Sequence, residues 1–69
     1  AASERDLDIL TLVAQGMSTT DIAASLHLSQ HTVKDHLRRM SARWGCKGRA
    51  NLVSTGYRLG YLKIVRGSV

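Results

Sequence analysis

The stretch Ser18–Trp44, STTDIAASLHLSQHTVKDHLRRMSARW, decides the fold. Ser18 is a good helix N-cap, and apolar residues follow it at helical spacing. The helical phase changes at residues 26–28, and Ser29 then offers a second N-cap. This pattern predicts two helices, about 19–26 and 30–44, joined by a tight turn. Two such helices, the second of them rich in basic residues, are typical of a helix-turn-helix.

The second of these helices has two chemically different faces. Its apolar side chains recur at the spacing of one buried stripe: Val33, Leu37, Met40 and Trp44. At about 100° per residue, the opposite side carries His31, Lys34, Asp35, Arg38 and Ala42. Three of those five side chains can donate hydrogen bonds, and the small alanine permits close approach. Such a face fits the major groove of duplex DNA, which is about 12 Å wide.

Two further helices complete the predicted fold. Ser3 and Asp6 have the spacing of a reciprocal capping box, and Gly16 is a natural helix end. A fourth apolar-patterned segment precedes Gly60. No segment alternates convincingly with the period of two that marks a β-strand. We therefore expect an all-α, four-helix bundle-like domain with a central helix-turn-helix and helices at about 4–15, 19–26, 30–44 and 49–59.

Length and composition limit the classes of protein to which this chain can belong. A chain of 69 residues forms one domain with a thin core, and we expect residues 1–69 to be that domain, cut from a longer protein. The single Cys46 excludes an internal disulfide and fits a reducing, cytoplasmic setting. No apolar run approaches the roughly 18–20 residues of a membrane span, and the sequence shows no charged start followed by an apolar stretch that would suggest a secretory signal.

The distribution of charge points to a polyanionic partner. Residues 1–28 carry one arginine against four acidic residues, whereas residues 29–69 carry nine lysines and arginines against Asp35 alone. A basic half on so small a domain favours a nucleic acid as the partner. The alternative is a basic surface that is merely solvated.

Lys34, Asp35 and Arg38 are the candidate base-contacting residues. Lys34 and Arg38 lie one helical turn apart and can both donate to guanine O6 and N7 in the same groove. The alternative is that they contact only phosphate or solvent. Asp35 either accepts a hydrogen bond from cytosine N4 or holds Arg38 or Arg39 at i+3 or i+4.

Residues beside this face are candidates for contacts with the DNA backbone. Arg39 and Arg43 lie to one side of it, where they suit phosphate contacts that position the protein without reading sequence. The start of the same helix offers hydroxyl and backbone N–H groups to a phosphate. The full set expected to contact the DNA backbone is Ser29, Gln30, His31, Thr32, Arg39, Arg43 and, at the start of the preceding helix, Thr20.

The sequence offers neither a metal site nor a catalytic centre. His27 and His31 are four residues apart, but the predicted turn between them breaks the geometry of a helical ligand pair. His36 is expected to be a packed or hydrogen-bonded edge residue, and Cys46 a small core residue. There is no glycine-rich phosphate loop, and the acids cluster as helix caps. We expect no cofactor, no metal ion and no enzymatic activity.

The fourth helix is more apolar around its circumference than one core requires. Its apolar and small residues spread over about 180°, whereas a single core needs a stripe of about 100°. The surplus favours a homodimer interface on Leu52, Val53, Gly56 and Tyr57. A glycine in mid-helix would allow a partner helix to approach closely. The alternative is an exposed patch of ordinary size.

Several motifs together resemble the LuxR-type (GerE or NarL/FixJ) DNA-binding domain of bacterial transcription regulators. They are Ser3-Glu4-Arg5-Asp6, Leu12–Ser18, Asp21-Ile22-Ala23, Leu26–Ser29, Thr32–His36, Trp44-Gly45-Cys46 with Arg49, and Leu52-Val53 with Gly60. The resemblance covers about residues 3–62. Asp35, Trp44, Cys46, Gly48 and Gly56 depart from what the family usually has at those positions.

The resemblance implies a four-helix fold with the third helix in the major groove and the fourth used for dimerisation. It places Lys34, Asp35 and Arg38 at the main base-reading positions and Thr32 at a backbone-contact position. Members usually act as dimers on DNA, often below an N-terminal receiver or ligand-sensing domain. We therefore expect the C-terminal effector domain of a cytoplasmic, nucleoid-associated regulator. The rival is a module that has lost DNA affinity and docks a protein such as RNA polymerase.

Overall fold

The computed structural model describes residues 3–63. Four helices follow one another in this range: α1 (Glu4–Ala14), α2 (Thr19–Leu26), α3 (Gln30–Trp44) and α4 (Gly48–Arg58). Every boundary lies within one residue of its predicted position, and the described residues contain no strand. The predicted all-α fold with a central helix-turn-helix is thus confirmed. The ends of the predicted domain, residues 1–2 and 64–69, lie outside the described residues.

Serine side chains fix where the first three helices begin. Ser3 Oγ accepts from the Asp6 N–H at 3.1 Å, and the Asp6 carboxylate accepts from the Ser3 N–H at 3.2 Å. The hydroxyls of Ser18 and Ser29 each accept a backbone N–H three residues later, both at 3.1 Å. Each bond satisfies an N–H that has no partner inside the helix. The predicted caps are all confirmed.

The turn between α2 and α3 depends on one residue in the left-handed region. His27 ends α2 with φ 58° and ψ 43°. The Leu28 N–H donates to the Ala23 carbonyl at 2.9 Å, which closes the helix end. Histidine adopts this conformation more readily than a β-branched or bulky residue would. The chain therefore reaches the Ser29 cap within two residues, without a glycine.

The core takes at least one side chain from every helix. Its fully buried members are Ile9, Leu10, Ile22, Val33, Met40 and Leu52. In α3, Val33 and Met40 form the buried centre of the predicted stripe, while Leu37 and Trp44 are half-buried at its edge. Leu62, beyond the end of α4, folds back onto the same core. This packing settles which face of α3 remains exposed.

Leu52 and Gly56 do not form the surface that the sequence predicted. Leu52 is 1% exposed, and a Cβ added at Gly56 would lie 2.9 Å from Leu10 Cδ2 and 3.0 Å from Leu62 Cδ1. The close approach at Gly56 is therefore to the domain's own α1 and C-terminal segment. Neither residue is available on the domain surface for the predicted dimer interface, because Leu52 belongs to the core and Leu62 packs against Gly56 on a side of α4 that the sequence pattern left open. Val53 is half-buried and Tyr57 is exposed.

A polar link between α1 and α3 supplements this thin core. His36 Nδ1 lies 2.6 Å from Asp6 Oδ1, and both side chains are largely buried. His36 is thus the hydrogen-bonded edge residue that the sequence predicted. Partial burial raises the pKa of Asp6, but hydrogen bonds from His36 and Ser3 outweigh it. The pKa of Asp6 therefore lies below its ordinary value of 3.8.

We predict that Asp6→Asn flattens the acid limb of the stability profile. Because the Asp6 pKa is depressed in the folded state, its stabilisation is present above pH 3.8 and is lost as the pH falls through the folded-state pKa. Asparagine can still accept from the Ser3 N–H, so the helix cap is retained. Denaturant unfolding followed by circular dichroism, from about pH 5 to pH 2, measures the change.

Asp8→Asn is the matched control, since it removes an exposed carboxylate from the same helix. It should leave the acid limb close to that of the wild type. If Asp6→Asn and the wild type lose stability in parallel across this range, the link between Asp6 and His36 does not stabilise the fold.

Candidate nucleic-acid interface

The face of α3 opposite the core is exposed and cationic, as predicted. His31, Lys34, Arg38 and Ala42 are all exposed, whereas Val33 on the other side is completely buried. α3 has 15 residues and so extends about 22 Å, which is enough to lie along a groove. The helix therefore presents these donors on an exposed surface. Asp35, which belongs to the same helix, pairs with one of them, Arg38.

Asp35 lies within this face and pairs with arginines on its own helix. One of its oxygens accepts from Arg38 Nη2, and the other lies 3.9 Å from Arg39 Nη2. The hydrogen bond from Arg38, with the nearby positive charges, lowers the pKa of Asp35. The carboxylate is therefore ionised at neutral pH. The sequence left two alternatives for Asp35, a hydrogen bond from cytosine N4 or a pairing with Arg38 or Arg39. The observed geometry is that of the pairing.

The N-terminal turn of α3 brings together the polar residues expected there. Ser29 Oγ donates to Thr32 Oγ1 at 2.9 Å while it accepts from the Thr32 N–H at 3.1 Å. Ser29, Gln30 and His31 are exposed, and Thr32 is half-buried. The first N–H groups of a helix point outward without intrahelical partners and favour an anion. This turn is chemically suited to a phosphate group.

Arg39 and Arg43 lie on the flank of α3 that faces α1. Both are exposed, and both border a notch lined by Ser3, Asp6, His36 and Met40. They are therefore displaced from the face that carries Lys34 and Arg38. Thr20, the remaining predicted contact residue, is exposed in the first turn of α2.

Sequence reasoning missed the role of Arg49 in holding α2. From the first turn of α4, its guanidinium donates to the Met17 carbonyl at 2.8 Å and to Thr19 Oγ1 at 3.0 Å. These bonds tie α4 to the loop before α2 and to the first residue of α2, next to Thr20. No local pattern could indicate them, because the acceptors lie 32 and 30 residues earlier in the chain.

The described residues show no sign of a metal centre or a membrane span. Within residues 3–63, no three His, Cys, Asp or Glu side chains gather as ligands for an ion. In the same range, no helix is both long enough and apolar enough to cross a bilayer. Cys46 packs beside the core, where its Sγ lies 3.3 Å from the hydroxyl of the buried Thr55.

Comparison with known proteins gives consistent results. The sequence profile described as "Bacterial regulatory proteins, luxR family" matches residues 2–55. The spore germination protein GerE of Bacillus subtilis is 31% identical over 62 residues, which cover 90% of this chain and 84% of GerE. The nitrate/nitrite response regulator NarP of Escherichia coli is 40% identical over 47 residues, which cover 68% of this chain but only 22% of NarP.

A solved structure agrees with these sequence matches. The response regulator ChrA of a heme-sensing two-component system superposes with a TM-score of 0.87 at 31% identity. The match covers 90% of this chain and 31% of the ChrA chain, so the chain spans less than a third of ChrA and of NarP. Fold, sequence profile and relatives agree. The chain belongs to the luxR family of bacterial regulatory proteins, and membership of that family implies DNA binding.

Proposed function

We propose that this domain binds duplex DNA in a sequence-specific manner by inserting α3 into the major groove. The observation that carries the proposal is the exposed cationic face of α3, which lies directly opposite the buried Val33 and Met40. A single α-helix fits a groove about 12 Å wide, and base edges in that groove present a distinct pattern for each base pair. The rest of the domain holds the helix at the right orientation.

Lys34 and Arg38 are the proposed base readers. They lie one turn apart on the exposed face, and arginine can donate two hydrogen bonds to guanine O6 and N7. Ala42, one further turn along, adds no bulk that would hold the helix away from the bases. Asp35 lies between them in the same face and affects base reading as well.

The flanks of α3 are proposed to hold the phosphates. Arg39 and Arg43 supply charge on the side toward α1. At the other end of the contact, the N-terminal turn of α3 offers its backbone N–H and polar side-chain groups to a phosphate, from Ser29, Gln30, His31 and Thr32. Thr32 accepts a hydrogen bond from Ser29, so its own hydroxyl hydrogen can donate to a phosphate oxygen. Thr20 in α2 adds a hydroxyl at the neighbouring stretch of backbone. Such contacts fix the register of the helix in the groove.

We further propose that residues 1–69 form one effector domain at the C-terminal end of a longer transcription regulator. The chain spans only 22% of NarP and 24% of the Streptomyces coelicolor response regulator RamR, which supports this view. The relatives are regulators, so we infer a DNA-binding protein rather than an enzyme, and no cofactor is proposed. A cytoplasmic location, associated with the nucleoid when bound, follows from this function. RNA polymerase is a further proposed partner.

The domain is proposed to act on DNA as a homodimer through the exposed part of α4. Tyr57 is 38% exposed and Leu59 is 50% exposed, and Val53 is half-buried beside the core. Val53 and Tyr57 lie one helical turn apart and so share a side of α4, and apolar side chains grouped on an exposed surface favour contact with another surface. The proposed interface is therefore narrower than the one predicted from sequence, since Leu52 and Gly56 are buried inside the domain.

Replacing the base readers should alter sequence preference without unfolding the domain. In a selection of random duplexes, Arg38→Ala should lose preference at one base pair in each half-site, a loss of about 1–3 kcal/mol in discrimination. Lys34→Ala should relax a neighbouring base pair. Arg58→Ala is the control, because it removes an exposed arginine from α4 instead.

Affinity of the wild type for DNA should also fall steeply between 50 and 200 mM salt, because bound phosphates release counterions. Unchanged base preferences in both α3 variants would show that these residues do not read bases. Salt-insensitive binding to a protein, with no binding to DNA, would favour the rival docking module.

Replacing Tyr57 tests the dimer. Tyr57→Glu places a charge on the exposed side of α4, so it should weaken binding to a duplex with two half-sites by about tenfold or more. Binding to a single half-site should be unchanged. Tyr57→Phe keeps the ring and should behave as the wild type. Sedimentation of the protein–DNA complexes gives the stoichiometry directly, and a Tyr57→Glu protein that still binds as a dimer would exclude this surface.

A further inference from the structure

The carboxylate of Asp35 connects two arginines that have different proposed tasks. Its Oδ1 accepts from Arg38, which lies on the exposed face of α3, and its Oδ2 lies 3.9 Å from Nη2 of Arg39, which lies on the flank. Asp35 is also the sole acid among residues 29–69. The one negative charge in the basic half of the chain is thus placed between a proposed base reader and a proposed phosphate contact.

Electrostatics alone would disfavour an acid at this position. A carboxylate near DNA is repelled by the phosphates, and it cancels part of the positive charge that attracts them. Asp35 nevertheless remains ionised, since the hydrogen bond from Arg38 lowers its pKa. A general attraction for DNA would be stronger without this carboxylate. Its placement therefore has to be explained by something other than affinity.

Restraint of Arg38 supplies that explanation. The Arg38 side chain is 71% exposed, and a long exposed side chain samples many rotamers. Its bond to Asp35 engages one nitrogen of the planar guanidinium, which restricts the orientations that the group samples and leaves other N–H groups to donate elsewhere. A planar donor fork held in one orientation suits the two acceptors of guanine and does not adapt easily to other bases.

We propose that Asp35 is a specificity-determining positioning residue that acts through Arg38. It holds the guanidinium for base reading, and it lowers non-specific affinity because its charge opposes the phosphates. This inference rests on the proposed function, since it assumes that α3 enters the major groove. Asp35 itself makes no base contact in this mechanism.

Three mechanisms for Asp35 predict different results for Asp35→Ala, which removes both the charge and the acceptor of the Arg38 hydrogen bond. If Asp35 positions Arg38, discrimination falls at the base pair that Arg38 reads. If Asp35 accepts from cytosine, discrimination falls at another base pair. If Asp35 only repels phosphate, affinity rises equally for every sequence and discrimination does not change.

The experiment compares wild type, Asp35→Ala and Arg38→Ala on duplexes selected by the wild type. Affinities are measured for the selected duplex, for all its single base-pair variants and for random-sequence duplex DNA, at several salt concentrations. Arg38→Ala identifies the base pair that Arg38 reads. Asp8→Asn removes an exposed acid from α1 and serves as the charge control. Circular dichroism confirms that each variant is helical.

For Asp35→Ala, we expect affinity for random duplex to rise by about 3- to 10-fold, with a salt dependence steeper by about 0.9 in slope. Discrimination should fall by about two- to fivefold at the Arg38 base pair, in line with the small energy of an exposed ion pair, and stay unchanged elsewhere. Discrimination retained at that base pair, or lost at a different one, would overturn the inference while leaving the proposed function intact. A wild-type domain that binds all duplexes equally would overturn both.

Discussion

The two-sided character of α3 is the constraint on which the rest of the structure depends. Val33 and Met40 anchor one side of this helix in the core, so its rotation about its own axis is fixed. Turning the helix to bury Lys34 or Arg38 would expose these apolar side chains and remove charges from water, and both changes are costly. The cationic face therefore points outward because of packing. The orientation of the proposed DNA-binding face therefore depends on how the core is packed.

A core this small does not by itself fix the angles between the helices. Polar links add restraint at two points: Asp6 joins His36 across α1 and α3, and Arg49 joins α4 to the start of α2. A third link is the stack of Trp44 on Tyr61, with ring centroids 5.4 Å apart and planes 10° from parallel. Each link connects residues distant in sequence. Together they connect α1 to α3, α4 to the start of α2, and the end of α3 to the segment after α4.

Local chemistry allowed most of the fold to be predicted from sequence. Serine caps and a glycine at the end of α1 are short-range signals, so helix boundaries were predicted to within one residue. The exposed face of α3 was also predictable, because periodicity within one helix decides which side chains share a side. The pairing of Asp35 with Arg38 follows from the same spacing, with a cytosine contact as the alternative that periodicity left open.

The remaining features depend on contacts between distant residues, which periodicity does not encode. Leu62 packs against Gly56 and Leu52 belongs to the core, so both residues are buried where the pattern suggested a second interface. The tie from Arg49 to Met17 and the left-handed His27 had no local sequence signal either. The sequence pattern therefore predicts too wide an exposed apolar surface for α4, whereas it predicts the exposed face of α3 correctly.

The most direct test of the account is an NMR search for intermolecular nuclear Overhauser effects between the domain and a selected duplex. The thymine methyl group lies in the major groove, so it reports entry into that groove. The account predicts contacts from side-chain protons of Lys34, Arg38 and Ala42 to thymine methyl and other major-groove protons. Contacts only to minor-groove protons, or only from another helix, would contradict it.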